Sequence, residues 1–315
     1  MQTSHHADIM SCRYRIIPSA GYPERFVTRI SDSCTDHFAG CLLSIYREWV
    51  FTELREHIRK YAEENGFQLC GVCGISDLEK VEFPDGRGLE KPSEFMKKAG
   101  IEDAQAVIVL GMVIWDEGMN MAINACGGDF SGGGSEYYNL YYEAIETRGW
   151  RVGDLIFREL GYKTVPSLTV HLKVAAHLAG LGFIGHNTQV ITPEYGPRVR
   201  WVALFTTAPL EKDKPFTRDL CAEQPLCKDG SLCVKKCPYR AIIPGPSQGV
   251  EPGKKVIYDK CVVAHEFDPA ADEIWKKYIR QVTERGFMEC TICNRACPYG
   301  NIVDEKIAPS KRGQI

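Results

Sequence analysis

Two cysteine-rich stretches decide the fold: C-A-E-Q-P-L-C-K-D-G-S-L-C-V-K-K-C-P at positions 221–238 and C-T-I-C-N-R-A-C-P at positions 290–298. The second has the spacing C-x2-C-x3-C-P, whereas the first is stretched to C-x5-C-x5-C-x3-C-P. A single cysteine, Cys261, lies between them. The two stretches and Cys261 supply eight cysteines, the number that two [4Fe–4S] clusters with four thiolates each require.

The Cys-Pro ending of both stretches predicts how the cysteines divide between two clusters. In bacterial ferredoxins the cysteine before the proline binds the cluster that the other three cysteines of its run do not bind. We therefore expect crossed ligand sets, defined here as cluster one and cluster two. Cluster one takes Cys221, Cys227, Cys233 and Cys297; cluster two takes Cys237, Cys261, Cys290 and Cys293.

Zinc and disulfide bonds are the alternatives for these cysteines. Structural zinc sites are built from paired C-x2–4-C units, and the C-x3-C-P endings favour iron–sulfur ligation over that pattern. Disulfide frameworks are typical of small secreted chains. This chain has 315 residues and shows no secretory signal pattern in its first residues, so we expect it in the cytoplasm with its cysteines reduced or bound to clusters.

Composition is that of a soluble globular protein of two domains. Hydrophobic residues make up 44% and charged residues 25% of the chain, and the net charge is −3. Nucleic-acid-binding proteins typically carry a basic domain or stripe. The net negative charge gives no sign of one, so a nucleic-acid partner is disfavoured, although tRNA stays open. The longest apolar run, residues 106–115, is about half of the ~20 residues that a membrane-spanning helix needs, so it predicts a buried strand and no membrane partner.

Hydrophobic periodicity predicts the main elements of the first two thirds of the chain. The first 46 residues show no sustained period and are expected to form a poorly defined tail. The expected elements are a helix over 47–65 ended by Gly66, a strand over 67–75, a strand over 106–115, a helix over 137–160 ended by Gly161, and a strand over 199–206. Within the strand at 67–75, Cys70 and Cys73 could form a redox dithiol, but the apolar run around them favours core packing.

A glycine-rich stretch follows a short predicted helix that begins near His171. Gly180, Gly182 and Gly185 match the pattern G-x-G-x-x-G. A dinucleotide fingerprint needs a strand before the glycines and a helix after them, whereas here a helix precedes and a strand with a turn follows. The match therefore does not predict nicotinamide binding, but such glycines suit the close approach of a bulky ligand.

Four features together resemble the superfamily of epoxyqueuosine reductases and reductive dehalogenases. They are A-G-L-G-F-I-G-H-N-T at 179–188, I-T-P-E-Y-G-P-R-V-R at 191–200, F-T-T-A-P-L at 205–210, and the eight-cysteine pattern. The resemblance implies an α/β (α+β) chain after the tail at 1–46. A nitroreductase-like corrinoid-binding domain would span 47–215, and a bacterial ferredoxin-like domain with two [4Fe–4S] clusters would span 216–315.

The resemblance also implies a cobalamin without its lower axial base, reduced by electrons from the two clusters. Its binding residues would lie on the glycine-rich loop and the turn that follows. They are Gly180, Gly182, Gly185, His186, Asn187, Thr188, Thr192, Glu194, Tyr195 and Gly196.

The chain departs from the family pattern in its proton donor. Epoxyqueuosine reductases carry an acidic residue ahead of the glycine-rich loop, and the corresponding position here is Pro166-Ser167. Reductive dehalogenases usually carry a twin-arginine signal, a pattern not found in this sequence. The catalytic residue is therefore unassigned, and the weak candidates are Tyr138, His171 and His186, with Tyr137, Tyr141 and Tyr142 as further possible donors.

Three functional hypotheses follow. The first is an iron–sulfur oxidoreductase that feeds electrons from an external donor, such as ferredoxin or flavodoxin, through two clusters to cobalamin and reduces a small molecule. The second is an electron carrier without a corrinoid that reduces a partner protein. The third is an epoxyqueuosine reductase that acts on tRNA.

Overall fold

The structure is a computed structural model, and it describes residues 52–81, 89–113, 135–227, 231–245, 255–257, 260–261 and 292–299. Side chains are described over the same ranges except at 135–143. The predicted tail at 1–46 and the predicted ligand Cys290 lie outside these ranges.

Eight α-helices and six strands are numbered here in chain order within the described residues. The helices are α1 (52–64), α2 (Ile75–Glu79), α3 (Pro92–Ala99), α4 (Ser135–Leu160), α5 (Leu172–Leu178), α6 (Leu220–Glu223), α7 (Leu232–Lys236) and α8 (Ile292–Arg295). The strands are β1 (Leu69–Cys73), β2 (Ala106–Val113), β3 (Thr164–Ser167), β4 (Phe183–Ile184), β5 (Val190–Ile191) and β6 (Val199–Thr206).

A four-stranded antiparallel sheet with the order β1-β2-β6-β3 organises the first part of the described chain. β2 and β6 pair along their whole length, from Ala106 opposite Thr206 to Val113 opposite Val199. Both strands are almost continuously apolar and buried, as expected of central strands covered on both faces. The expected mixture of helices and sheet is therefore confirmed.

Each face of the sheet packs against its own set of helices. On one face, α1 and α4 bury Ile58, Ile145 and Ile156 against alternate residues of β2 and β6. On the other face, α5 buries Ala175 and Ala176 against the intervening residues of the same strands. The period of two along each strand thus places successive side chains in opposite cores.

The predicted element boundaries hold closely where they can be compared. β6 covers the predicted residues 199–206, and α4 begins two residues before the predicted helix at 137. Gly66 and Gly161 follow α1 and α4 with φ of +83° and +79°, the left-handed conformation that glycine supplies at helix ends. Within the described ranges, none of the helices combines the length and apolar character that crossing a bilayer requires.

The polar segment after β6 is fixed to the edge of the sheet. Asp213 accepts a hydrogen bond from the backbone N–H of Val72 at 2.7 Å, and its own N–H donates to the Val72 carbonyl at 2.8 Å. Arg55 on α1 pairs with the same carboxylate at 2.5 Å. These bonds attach the segment to the outer edge of β1 and so fix the chain that leads into the cysteine-rich part.

Candidate metal centre

The first cysteine-rich stretch forms two short helices and a turn. Asp219 begins α6 by accepting the N–H of Ala222 at 2.9 Å, and Cys221 lies in the first turn. Cys227 ends a single 3₁₀ turn, and Cys233 lies on α7. Cys237 follows α7 directly, where its N–H donates to the Cys233 carbonyl. Cys233 and Cys237 therefore lie near opposite ends of α7.

Cys297 from the second stretch packs beside Cys221 from the first. It is buried with Phe183, Ile191 and Leu220, and the half-buried Cys221 contacts the same cluster. These residues come from the β4–β5 hairpin, α6 and the turn after α8. Three segments that are distant in sequence thus meet around predicted ligands of cluster one.

Electrostatics places the remaining predicted ligands of cluster one in the same neighbourhood. Burial raises the pKa of the Cys233 thiol to about 12, with further increases from Cys221, Cys297 and Cys227. Burial also raises the pKa of Cys221 to about 11. Because the bound form of a thiol ligand is the thiolate, such buried thiols need a cation in order to ionise. The iron ions of an iron–sulfur cluster supply that positive charge, so these cysteine thiols fit the group.

Three predicted ligands of cluster two share a second apolar cluster. Cys237, Cys261 and Cys293 are half-buried against Ala241, Ile242 and Val256. Cys233 packs in the same group, so the two ligand sets adjoin at α7. α7 contacts α8, which carries Cys293.

The described residues include nine cysteines, which are Cys70, Cys73, Cys221, Cys227, Cys233, Cys237, Cys261, Cys293 and Cys297. Over the same ranges, no group of three His, Cys, Asp or Glu residues is arranged to hold a single metal ion. Burial raises the pKa of both Cys70 and Cys73 to about 12, so packing in the core, rather than dithiol chemistry, describes this pair.

His186 connects the glycine-rich loop to both halves of the cysteine-rich part. It is 2% exposed. Its Nε2 lies 2.8 Å from the carbonyl oxygen of Ile243, which can only accept, so Nε2 carries the proton. The Nδ1 atom lies 3.0 Å from the Ser231 hydroxyl. Burial raises the pKa of the Cys221 thiol, and the backbone N–H of His186 opposes that rise.

The three glycines of the loop leave room for the protein's own atoms. A Cβ at Gly180 would lie 2.7 Å from the carbonyl oxygen of Lys214, and one at Gly182 would lie 2.7 Å from that of Ile191. A Cβ at Gly185 would lie 2.3 Å from the Ile191 side chain. The close approach expected at these glycines is therefore made by the β4–β5 hairpin and the segment after β6.

The ten predicted corrinoid contacts divide into a buried and an accessible group. Buried are Gly182, Gly185, His186, Asn187, Thr192 and Gly196; Gly180, Thr188 and Tyr195 are half-buried, and Glu194 is exposed. Thr192 accepts the Tyr195 N–H and donates to the Gly196 carbonyl, which fixes the turn. The polar side chains of the buried group are thus used within the protein, and the accessible group is what this surface offers a ligand.

Within that accessible group, Thr188 has an unusual backbone conformation. Its φ is +61°, a left-handed conformation that is strained for a β-branched residue. The turn is held by hydrogen bonds from the Thr188 N–H to Gly185 and from the Gly185 N–H to Gln189. Strain of this kind persists where the surrounding structure imposes it, and it is concentrated at ligand and active sites.

The predicted proton donors have different surroundings. His171 is buried and begins α5, where its Nδ1 accepts the Val174 N–H at 3.4 Å. The side chains of Tyr137, Tyr138, Tyr141 and Tyr142 lie outside the described part of α4.

The position that carries an acid in the resembling family lies on β3 here. Ser167 is buried and its hydroxyl hydrogen-bonds Thr169. Thr169 in turn donates to Glu90 at 2.6 Å. Hydrogen bonds from Lys98 and Thr169 lower the pKa of Glu90, so this carboxylate is ionised at neutral pH and does not fit the role of a proton donor.

Lys255 was not singled out by any sequence pattern. Its Nζ is buried and has no hydrogen-bond partner among the described residues. Its backbone carbonyl accepts the Ile243 N–H, and the next residue, Val256, packs among the cluster-two cysteines. The ammonium group interacts electrostatically with Cys221 and Asp219. The burial of this lysine side chain can be recognised only from the folded chain.

Comparison with known proteins identifies relatives of two kinds. The chain is 24% identical over 264 residues to an epoxyqueuosine reductase of Prochlorococcus marinus (strain NATL2A), covering 78% of each protein. It is 41% identical over 91 residues to the tetrachloroethene reductive dehalogenase of Sulfurospirillum multivorans, covering 28% of this chain and 18% of that protein. No protein-family model matches the chain. The two relatives confirm the predicted superfamily, and both are reductases, as expected for an oxidoreductase.

A solved structure shows the same fold. It is an epoxyqueuosine reductase with a tRNA-Tyr epoxyqueuosine-modified tRNA stem loop, similar with a TM-score of 0.50 and 17% sequence identity. The similarity covers 80% of this chain and 66% of that one, so the chain spans about two thirds of the length of the solved protein.

Proposed function

Because the chain is related to the superfamily of epoxyqueuosine reductases and reductive dehalogenases, we propose that it is an iron–sulfur reductase. In this proposal two [4Fe–4S] clusters with crossed ligand sets supply electrons to a base-off cobalamin. The observation that carries it is the meeting of Cys297 and Cys221 against the β4–β5 hairpin of the glycine-rich loop. This contact supports an electron supply that lies next to the proposed corrinoid surface.

The residues of the chain would bind and orient the two groups. When bound, the clusters transfer single electrons and a corrinoid supplies a strongly reducing cobalt centre. The ring of His186 is fixed by Ser231 and Ile243 beside the first cysteine-rich stretch. Phe183, Ile191 and Leu220 would exclude water between the hairpin and cluster one. The strained turn at Thr188 with Glu194 and Tyr195 would face the corrinoid.

Hydroxocobalamin titration of the anaerobically purified protein tests the corrinoid part of the proposal. We expect the visible and EPR spectra of the corrinoid to change on binding. Thr188→Arg should abolish this change because a long side chain would fill the accessible turn. Thr52→Arg places the same side chain on the exposed face of α1 and should leave binding intact. A protein with full iron content and no corrinoid signal would contradict this part and support the electron-carrier hypothesis.

A second candidate function is reduction of epoxyqueuosine in tRNA. It is favoured by the similarity to an epoxyqueuosine reductase over 78% of this chain. The buried Ser167 at the position of the family's acid does not support it, since a proton must come from a positioned donor. Incubation of the reduced protein with epoxyqueuosine-containing tRNA, followed by nucleoside analysis, decides between them. Formation of queuosine would support this function, and its absence with a corrinoid-loaded protein would favour a small-molecule substrate.

A further inference from the structure

Lys255 brings a buried positive charge to the proposed electron supply. The Nζ atom is buried without a hydrogen-bond partner in the described part of the chain. Taking an ammonium group out of water is strongly unfavourable unless an anion compensates its charge. A buried lysine at this position therefore requires negative charge nearby.

The backbone around Lys255 fixes where this charge lies. Ile242 and Val256 form an isolated β-bridge, and the Ile243 N–H donates to the Lys255 carbonyl at 2.9 Å. The Ile243 carbonyl accepts in turn from His186, whose ring also hydrogen-bonds Ser231, two residues before the predicted cluster-one ligand Cys233. Two successive hydrogen bonds thus tie the backbone of Lys255 to the residues beside the predicted cluster one.

Asp219 is the described carboxylate that interacts with Lys255, and it already has a structural role. Its Oδ1 accepts the Ala222 N–H at the start of α6, while Lys255 Nζ has no hydrogen-bond partner in the described chain. A [4Fe–4S] cluster with four thiolates is an anion that gains further negative charge on reduction. Charges and hydrogen bonds beside such a cluster set its reduction potential.

We propose that the Lys255 ammonium is the buried counter-charge of cluster one and raises its reduction potential. This inference rests on the proposed iron–sulfur function. In the step concerned, an external donor of the ferredoxin or flavodoxin class loses one electron and cluster one gains it; no bond forms or breaks. The positive charge stabilises the more negative, reduced cluster, so it favours electron entry. Lys255 acts as a positioning and tuning residue because it binds neither iron nor substrate.

An EPR-monitored redox titration of the iron-loaded protein tests this role without an activity assay. Lys255→Met removes the charge at similar volume, and Lys255→Arg keeps it. The matched control Lys236→Met removes a lysine that is exposed at the end of α7, where solvent screens its charge. At a fixed potential, we expect Lys255→Met to lower the ratio of reduced to oxidised cluster one about tenfold, a shift of about 59 mV to more negative potential.

The outcomes separate this inference from the proposed function. Potentials unchanged in Lys255→Arg and Lys236→Met but lowered in Lys255→Met support it. Loss of iron in Lys255→Met but not in Lys255→Arg also supports it, because the charge is then required for the cluster. A fully loaded Lys255→Met with wild-type potentials overturns the inference, as does equal iron loss in both Lys255 variants, which would indicate packing. A wild-type protein without iron would instead overturn the proposed function.

Discussion

Replacing Cys297 by alanine should remove the cluster built mainly by the first cysteine-rich stretch. Cys297 is 7% exposed and packs with Leu220 and Cys221, although its nearest sequence neighbours belong to the second stretch. Loss of one of four thiolates from a [4Fe–4S] cluster should release up to four of about eight irons per chain. Iron analysis of the anaerobically purified variant, with EPR of the reduced protein, measures this loss.

A double variant shows which cluster has been lost. If Cys221 and Cys297 bind the same cluster, Cys221→Ala/Cys297→Ala should retain as much iron as either single variant. The matched double variant Cys293→Ala/Cys297→Ala should lose both clusters, because its two sites then belong to different ligand sets. Additive loss in the first pair and equal loss in the second would refute the crossed arrangement and would assign each cluster to one stretch.

Other positions give independent tests of the fold and of the loop. Asp213→Ala should lower the free energy of unfolding by about 1–2 kcal/mol, since it removes a charged, partly exposed hydrogen bond to the sheet edge. Asp103→Ala, which removes an exposed ion pair, should leave the free energy of unfolding nearly unchanged. Equal effects of the two substitutions in denaturant unfolding would contradict this. Gly182→Ala should lower the free energy of unfolding by about 1–3 kcal/mol in the same experiment, because the added Cβ would meet a backbone carbonyl of β5. An unchanged unfolding midpoint would contradict that packing. Cys70 and Cys73 should resist alkylation at pH 8. Burial raises the pKa of both thiols from about 9 to about 12, which lowers the thiolate fraction roughly a thousandfold. Rapid labelling of the native protein, measured by mass spectrometry, would contradict their burial.

The elements that could be predicted from sequence are those with a local signal. β6 was predicted at its observed residues because an unbroken apolar run between polar turns identifies a buried strand. Gly66 and Gly161 were recognised as helix ends because the left-handed conformation they supply is a local requirement. The crossed ligand sets stay a prediction that rests on the meaning of the Cys-Pro spacing in ferredoxins.

The features that could not be predicted depend on contacts between distant segments. The glycines of the loop were expected to admit a ligand, but the atoms that fill their space come from Lys214 and Ile191, and no local pattern specifies that contact. Lys255 lies 70 residues from Gly185 in the sequence, and hydrogen bonds through Ile243 and His186 join it to the glycine-rich loop. His186 is predicted as a ligand contact and proton donor, whereas the structure uses its buried ring to join Ser231 and Ile243.

Iron and acid-labile sulfide analysis after anaerobic purification tests the central claim most directly. Two [4Fe–4S] clusters predict about eight irons and about eight sulfides per chain, with EPR signals of reduced clusters. Tightly bound zinc without sulfide would contradict the claim, because the cysteines would then hold single ions in place of two electron-transfer clusters.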